Sequence, residues 1–245
     1  MVNIILAGAA GRMGQAILNV LPSFRGLSLA GAVAEKGHPK DGKPIYKNTR
    51  LSSDISGIIN NGDVLVDFTT AEASINNLKI AAASKKPVVI GTTGHSPEQR
   101  SEILSLSKIV PVVFSPNMSV GVNLMWKLIE ESASVLEKDY QIDIIETHHV
   151  HKKDAPSGTA KKMIEAVAAS GGYDLKKIKV KSIREGEVVG DHTILFTSPY
   201  ERLEITHRAF SREVFAAGAL RAALWVVDKK AGLYSMSDVL DIVSG

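Results

Sequence analysis

The chain has 245 residues, 44% hydrophobic and 22% charged, with a formal net charge of +3. That is enough chain for one large domain or two modest ones, and so small a net charge excludes a general polyanion binder, leaving only local positive potential. There is no cysteine, which excludes disulfides, thiolate zinc sites, iron–sulfur clusters and a cysteine nucleophile.

The N-terminus, "MVNIILAGAAGRMG", is apolar but has no basic leader and breaks at Gly8. It reads as a buried first strand rather than a signal peptide. No apolar run reaches membrane-spanning length, and the expectation is a soluble, cytoplasmic protein. The first half then alternates β-branched runs with helical patterns. "NIILAGAAGRMGQAILNVL" is strand, glycine turn and helix, and "LSLAGAVAE" is a strand ending in Glu35. "DVLVDFTT", "KPVVIGTTG" and "IVPVVFSPN" are further strands, with helical "AEASINNLKIAAASKK" and "SPEQRSEILSLSK" between them. That alternation predicts a parallel sheet covered on both faces.

After about residue 118 the pattern changes. A helix, "GVNLMWKLIEESASVL", leads to the strand "QIDIIETHH" and a second helix, "TAKKMIEAVAAS". The strands "KIKVKSIREG", "DHTILFTS" and "RLEITHRAF" follow, alternating apolar and polar residues. That alternation predicts an antiparallel sheet with one face covered. Near the end, "AAGALRAALWVVDK" is helical again. The prediction is an α/β protein of two domains: a Rossmann-like dinucleotide domain over residues 1–118 and 219–245, and an α+β substrate domain with an open mixed sheet over 119–218.

Gly8, Gly11 and Gly14 lie between the first strand and the first helix. Glycines at a helix start let backbone N–H groups approach a pyrophosphate. The spacing is G-x-x-G-R-M-G rather than G-x-G-x-x-G, since Ala10 and Met13 occupy the second and third glycine positions. The context is nonetheless that of a dinucleotide site, with Glu35 placed for a ribose 2′-hydroxyl and Lys36 beside it for a 2′-phosphate. The loops Gly91–Gly94 and Ser115–Ser119 also end sheet strands, where open parallel sheets bind ligands. A plain strand–helix turn would need the same small residues.

The stretch "HHVHKKDAPSGT", from His148 to Thr159, concentrates three of the seven histidines. His149 and His151 share a strand face near Glu146 and Asp154, but Lys152 and Lys153 would repel a cation, so no metal is expected. The cationic run is short and aromatics are 5% of the chain, which argues against nucleic acid. A solvated loop explains the lysines but not three histidines before Pro-Ser-Gly-Thr. A small dianion fits better: Ser157, Gly158 and Thr159 begin a helix whose N–H groups bind carboxylates, beside histidines able to release a proton near neutral pH.

The run "ETHHVHKKDAPSGTA" resembles the signature of the 4-hydroxy-tetrahydrodipicolinate reductase (dihydrodipicolinate reductase) family of lysine and diaminopimelate biosynthesis. "GAAGRMG", "DFT", "IGTTG", "SPNMSVGVN", "VGDHT", "ERLEITHRA" and "GLYSMSDVL" resemble family segments in the family's order, so the resemblance spans essentially the whole chain. It implies NADH- or NADPH-dependent hydride transfer to a cyclic dicarboxylate with loss of water. It further implies His148 and Lys152 as catalytic proton donors, and His149, Ser157, Gly158 and Thr159 as substrate-binding residues. The implied cofactor contacts are Gly8, Ala9, Ala10, Gly11, Arg12, Met13, Glu35, Lys36, Gly91, Thr92, Thr93, Ser115, Pro116, Asn117 and Met118. The resemblance implies a homotetramer joined through C-terminal sheets, and closure between the domains is expected around Ser115 to Val122 and near residue 218. Two features depart from the family pattern: Lys36 stands where arginine is more usual, and a loop between residues about 172 and 180 is shortened. The alternatives are another two-domain nicotinamide-dependent amino-acid dehydrogenase, or a non-catalytic dinucleotide sensor. Neither has a use for the His-Lys-Pro-Ser-Gly-Thr cluster.

Overall fold

The computed structural model describes residues 1–136 and 139–242. Residues 243–245, the end of the stretch assigned to the first domain, lie outside the described residues. The elements run β1 (Val2–Ala7), α1 (Arg12–Val20), β2 (Leu27–Val33), β3 (Pro44–Tyr46), β4 (Thr49–Ser52), β5 (Val64–Asp67), α2 (Ala71–Ala83), β6 (Val88–Ile90), α3 (Pro97–Leu106) and β7 (Pro111–Phe114). Then come α4 (Val120–Val135), β8 (Gln141–His148), α5 (Gly158–Ala169), β9 (Lys179–Arg184), β10 (Gly190–Thr197), β11 (Arg202–Ala209), α6 (Glu213–Val226), β12 (Gly232–Tyr234) and α7 (Met236–Val239). The chain divides into two compact units, residues 1–119 with 215–245, and residues 120–214.

The first unit is built on an eight-stranded sheet of order β12-β7-β6-β5-β1-β2-β4-β3. All its pairings are parallel except β3–β4. β1, β5 and β6 are apolar along most of their length, and their central residues are fully buried, as strands covered on both faces must be. One core cluster includes Leu6, Ile17, Val66 and Leu220, and a second includes Ile5, Leu65, Leu78 and Ile103. Side-chain caps start several of the helices. Thr70 accepts from the Ala73 N–H at the head of α2, and Ser96 with Gln99 forms a capping box ahead of Pro97 in α3.

The second unit carries a four-stranded sheet, β11-β10-β8-β9. β10 runs antiparallel to both β8 and β11, but β8 and β9 are parallel. The sheet is thus mixed, as the fold class expected, while the antiparallel reading of the alternation in β9 is corrected. The chain between β8 and β9 contains α5, and such a helical crossover returns it in the same direction. On one face Ile142, Ile144, Ile194 and Phe196 pack against α4 and α5 through Trp126, Ile129, Met163 and Val167.

Candidate active site

In the first unit, Gly8 adopts φ +79°, and a Cβ there would collide with the Phe68 carbonyl oxygen. A Cβ on Gly14 would overlap the Gly8 oxygen and lie 2.6 Å from Ala9 backbone atoms. Glycine is thus required at both positions for α1 to sit against the turn. Gly11 starts α1 without any side-chain cap, leaving first-turn N–H groups for a ligand. A cleft of about 430 Å³ opens beside this turn, lined by Gly8, Ala10, Gly11, Glu35, Lys36, His38, Ser53, Phe68, Thr69 and Asn77, among others. These residues fit the pyrophosphate and ribose of a dinucleotide.

Other predicted cofactor residues stand elsewhere. Ala9 and Met118 are buried in the core, Arg12 is exposed and Met13 half-buried. Thr92 is buried, and its hydroxyl donates to Asp67 Oδ1 at 2.7 Å while accepting from the Thr69 N–H at 2.8 Å. Gly91 has no room for a side chain against the Phe68 ring, and Thr93 is exposed beyond it. The buried Ser115 donates to the Asn117 carbonyl at 2.8 Å, shaping the turn that includes the exposed Pro116. Asp67 is one residue that sequence reasoning left without a role. Its buried carboxylate gathers Asn77, Thr92 and Thr69, fixing the ends of β5 and β6. Burial raises its pKa, against the lowering effect of those donors.

In the second unit, β8 turns Glu146 and His148 to its buried face, on the parity of Ile142 and Ile144. Glu146 is wholly buried. Its Oε1 accepts from Arg184 Nη2 at 3.1 Å, and both its oxygens face the Ser157 N–H, at 3.2 and 3.1 Å. Its Oε2 lies 3.3 Å from His148 Nδ1, a contact whose alignment falls short of a hydrogen bond and which becomes an ion pair only when the imidazole is protonated. Burial would raise the Glu146 carboxyl, but the donors Ser157, Ser182 and Arg184 outweigh it and hold the pKa below its ordinary value. Arg184 also donates to the carbonyls of Asp154, at 2.5 Å, and Lys152, at 3.3 Å.

Lys152 Nζ pairs with Asp154 Oδ1 at 2.7 Å, which gives Asp154 the partner role that the sequence left open. His148 is buried against His192, and burial pushes its imidazole down to about 4, opposed by Glu146 and assisted by Lys152 and Arg184. His192 is pushed to about 3, by burial and then by His148. Ser157 caps α5, accepting from the Ala160 N–H at 3.1 Å, and its Oγ lies 3.3 Å from His192 Nε2. Ser157 is thus committed within the protein. Gly158 is exposed at the first turn, and a Cβ there would meet nothing within 4 Å, which leaves an approach to that helix end. Thr159 and His149 are half-buried. His151 is exposed, 3.4 Å from Glu187.

One ligand atom each from Glu146, His148 and His192 lie within 4.8 Å of one another, close enough to share a cation. Arg184 and the Ser157 N–H already occupy the carboxylate, and Lys152 adds positive charge, so the cluster is read as an ion-pair and hydrogen-bond web. Arg184 and His192 escaped the sequence reading because their partners lie 38 and 35 residues away.

A family model described as dihydrodipicolinate reductase, N-terminus, matches residues 2–118, and one described as dihydrodipicolinate reductase, C-terminus, matches residues 121–240. The 4-hydroxy-tetrahydrodipicolinate reductase of Geotalea uraniireducens (strain Rf4) is 42% identical over 266 residues, covering 99% of this chain and 100% of that protein. That of Syntrophus aciditrophicus (strain SB) is 43% identical over 264 residues, covering 98% of each. Among solved structures, dipicolinate-bound dihydrodipicolinate reductase from Paenisporosarcina sp. TG-14 shares the fold at a TM-score of 0.82 and 22% identity, covering 99% of this chain and 100% of that one.

Proposed function

The chain belongs to the dihydrodipicolinate reductase family of nicotinamide-dependent oxidoreductases, and from that premise we propose that it reduces 4-hydroxy-tetrahydrodipicolinate to tetrahydrodipicolinate, with loss of water, in lysine and diaminopimelate biosynthesis. The observation that carries this reading is the meeting, within one unit, of a buried histidine and an open helix start around the Glu146 carboxylate, with Lys152 held beside them by Asp154. A cyclic dicarboxylate needs cations and N–H donors to hold it, and loss of its hydroxyl needs a proton donor.

The nicotinamide cofactor supplies the hydride when bound. Gly8, Ala10 and Gly11 would hold its pyrophosphate, Glu35 its ribose 2′-hydroxyl and Lys36 a 2′-phosphate, so that either NADH or NADPH would serve. The α5 start at Gly158 and Thr159, with His149, holds substrate carboxylate, while Ser157 keeps that helix end in place. Lys152 offsets negative charge that develops on the ring. His148 is neutral in the free protein near pH 7, given a pKa of about 4. Two substrate carboxylates beside it favour its charged form, so it acquires its proton with the substrate and delivers it during turnover.

No helix among the described residues is long and apolar enough to cross a membrane, and the protein acts in the cytoplasm as a homotetramer. The second unit's sheet supports the assembly. β10 buries His192, Ile194 and Phe196 but leaves Asp191, Thr193, Leu195 and Thr197 half-covered, a face available to another copy. Sedimentation at a tetramer's mass is expected, and a monomer would reject that assembly. For the reaction, the protein is mixed with NADH or NADPH and the synthase product of pyruvate and aspartate semialdehyde. Substrate-dependent loss of cofactor absorbance is expected, and its absence with both cofactors would overturn the assignment.

A further inference from the structure

We propose that Glu146 is the positioning residue of this site, holding the His148 imidazole and the substrate-binding start of α5 in one fixed relation. The proposal rests on the reductase reading above. Glu146 is wholly buried, and no part of the reaction requires a second carboxylate beside a dianionic substrate. An unpaired buried carboxylate is costly, and even a paired one is seldom retained for stability alone. The contacts account for its presence.

Glu146 Oε2 stands 3.3 Å from His148 Nδ1 without a well-aligned hydrogen bond, so its negative charge, rather than a formed bond, favours the Nδ1 side of the ring facing it. The other ring nitrogen, Nε2, faces Gly190, 3.1 Å from where a Cβ would stand. The same carboxylate takes the Ser157 N–H with both oxygens, 11 residues along the chain and one residue before α5 begins. Its third partner, Arg184, neutralises its charge and reaches on to the Lys152 and Asp154 carbonyls. The proton donor on β8, the carboxylate-holding helix end and the lysine loop therefore converge on one side chain. Displacing it would move all three, whereas displacing any one of them would leave the others tied. Such a residue touches neither substrate nor cofactor, yet acts on both turnover and substrate affinity.

The test compares Glu146→Gln, which keeps the shape but removes the charge, with wild type, His148→Gln and the double variant. Each is assayed over a pH series, with separate titrations of dipicolinate and NADH. Glu146→Gln is expected to lose roughly 30-fold or more in kcat, on the order of a buried positioning contact, and several-fold in dipicolinate affinity. NADH affinity stays within about twofold, because the cofactor cleft is built from first-unit residues. The alkaline limb of its kcat profile moves to lower pH, since an anion that favours the charged imidazole is gone. In the His148→Gln background the same substitution costs little further kcat. Near-normal kcat, an unmoved pH limb or full additivity with His148→Gln would overturn the proposal. If Glu146→Gln does not fold, Glu146→Gln with Arg184→Met removes the charged pair together and is held to the same three outcomes. A wild-type protein that fails to oxidise either cofactor would sink the reductase reading instead, before any variant is compared.

Discussion

His148 and His192 meet edge to face, with ring centroids 5.0 Å apart and planes at 74°. Neither Nδ1 has a well-formed hydrogen bond, and both rings are held well below their ordinary pKa. Gly190 closes the third side. A Cβ there would lie 3.1 Å from His148 Nε2 and 3.5 Å from His192 Cε1. Gly190→Ala therefore pushes the His148 ring from its rotamer, at a cost of about 1 kcal/mol. Steady-state kinetics should show kcat down about tenfold with NADH affinity unchanged. Unchanged kcat would mean that the ring has slack.

Substrate binding should draw a proton from solution. Near pH 7, calorimetric titration of dipicolinate in buffers of different ionisation heat is expected to report uptake of close to one proton, gained by His148 as two carboxylates arrive. His148→Gln abolishes the uptake and most of kcat. Lys152→Ala loses kcat but keeps the uptake. Binding without uptake by the wild type would assign the delivered proton to Lys152.

Acid should destabilise the second unit well above the carboxylate range. His148 and His192 have folded pKa values of about 4 and 3 against 6.5 in the unfolded chain. Below pH 6.5 the unfolded chain binds protons that the folded one does not, so stability falls as pH falls, by about 1.4 kcal/mol per unit for each histidine. The loss continues until the folded pKa values are reached. Glu146, held low, acts in the same direction at lower pH, whereas Asp67 in the first unit, held high, acts in the opposite one. Denaturant unfolding at pH 7 and pH 5 should show His192→Gln losing about 2 kcal/mol less than wild type. An equal loss would place the acid sensitivity elsewhere.

The glycine turn makes a sharper prediction than its irregular spacing suggests. Gly14→Ala drives a methyl group into the Gly8 oxygen, a backbone contact that only movement of α1 relieves. A stability loss of about 1–3 kcal/mol is expected, with at least roughly tenfold weaker binding of both cofactors, read by thermal unfolding and fluorescence titration. Cofactor binding at wild-type strength would remove the turn from the site.

Lys36 is exposed on the rim of the same cleft. As a point charge it can meet a 2′-phosphate, though without the bidentate geometry of arginine. Lys36→Ala should raise KM for NADPH about tenfold and leave KM for NADH nearly unchanged. Equal effects on both would reject the 2′-phosphate role.

The sequence made the strands legible where burial is two-sided. β1, β5 and β6 are dominated by apolar residues, and each proved a central parallel strand. It was silent on β3 and β4, which at three and four residues are too short to show a period. β12, three residues at the sheet edge, was equally invisible. Alternation in β9 looked antiparallel because the period of two is the same in both kinds of sheet, and only pairing with β8 distinguishes them. At the site, His148, Lys152 and the Ser157 turn were readable as one local run. Glu146 was visible in that neighbourhood but had no assigned role, since its partner Arg184 arrives from β9.

The burial pattern of β8 has one more consequence. Ile142 and Ile144 fill the hydrophobic interior of the second unit, and further along the same face stand Glu146 and His148. A single extended segment is therefore both the keel of the unit and the mount for His148, the proposed proton donor. An enlarged or truncated side chain at Ile144 would be transmitted along the strand as a change in aim at His148. Attempts to harden this protein by repacking its interior will register first as altered catalysis, and turnover becomes a finer gauge of that interior than melting temperature.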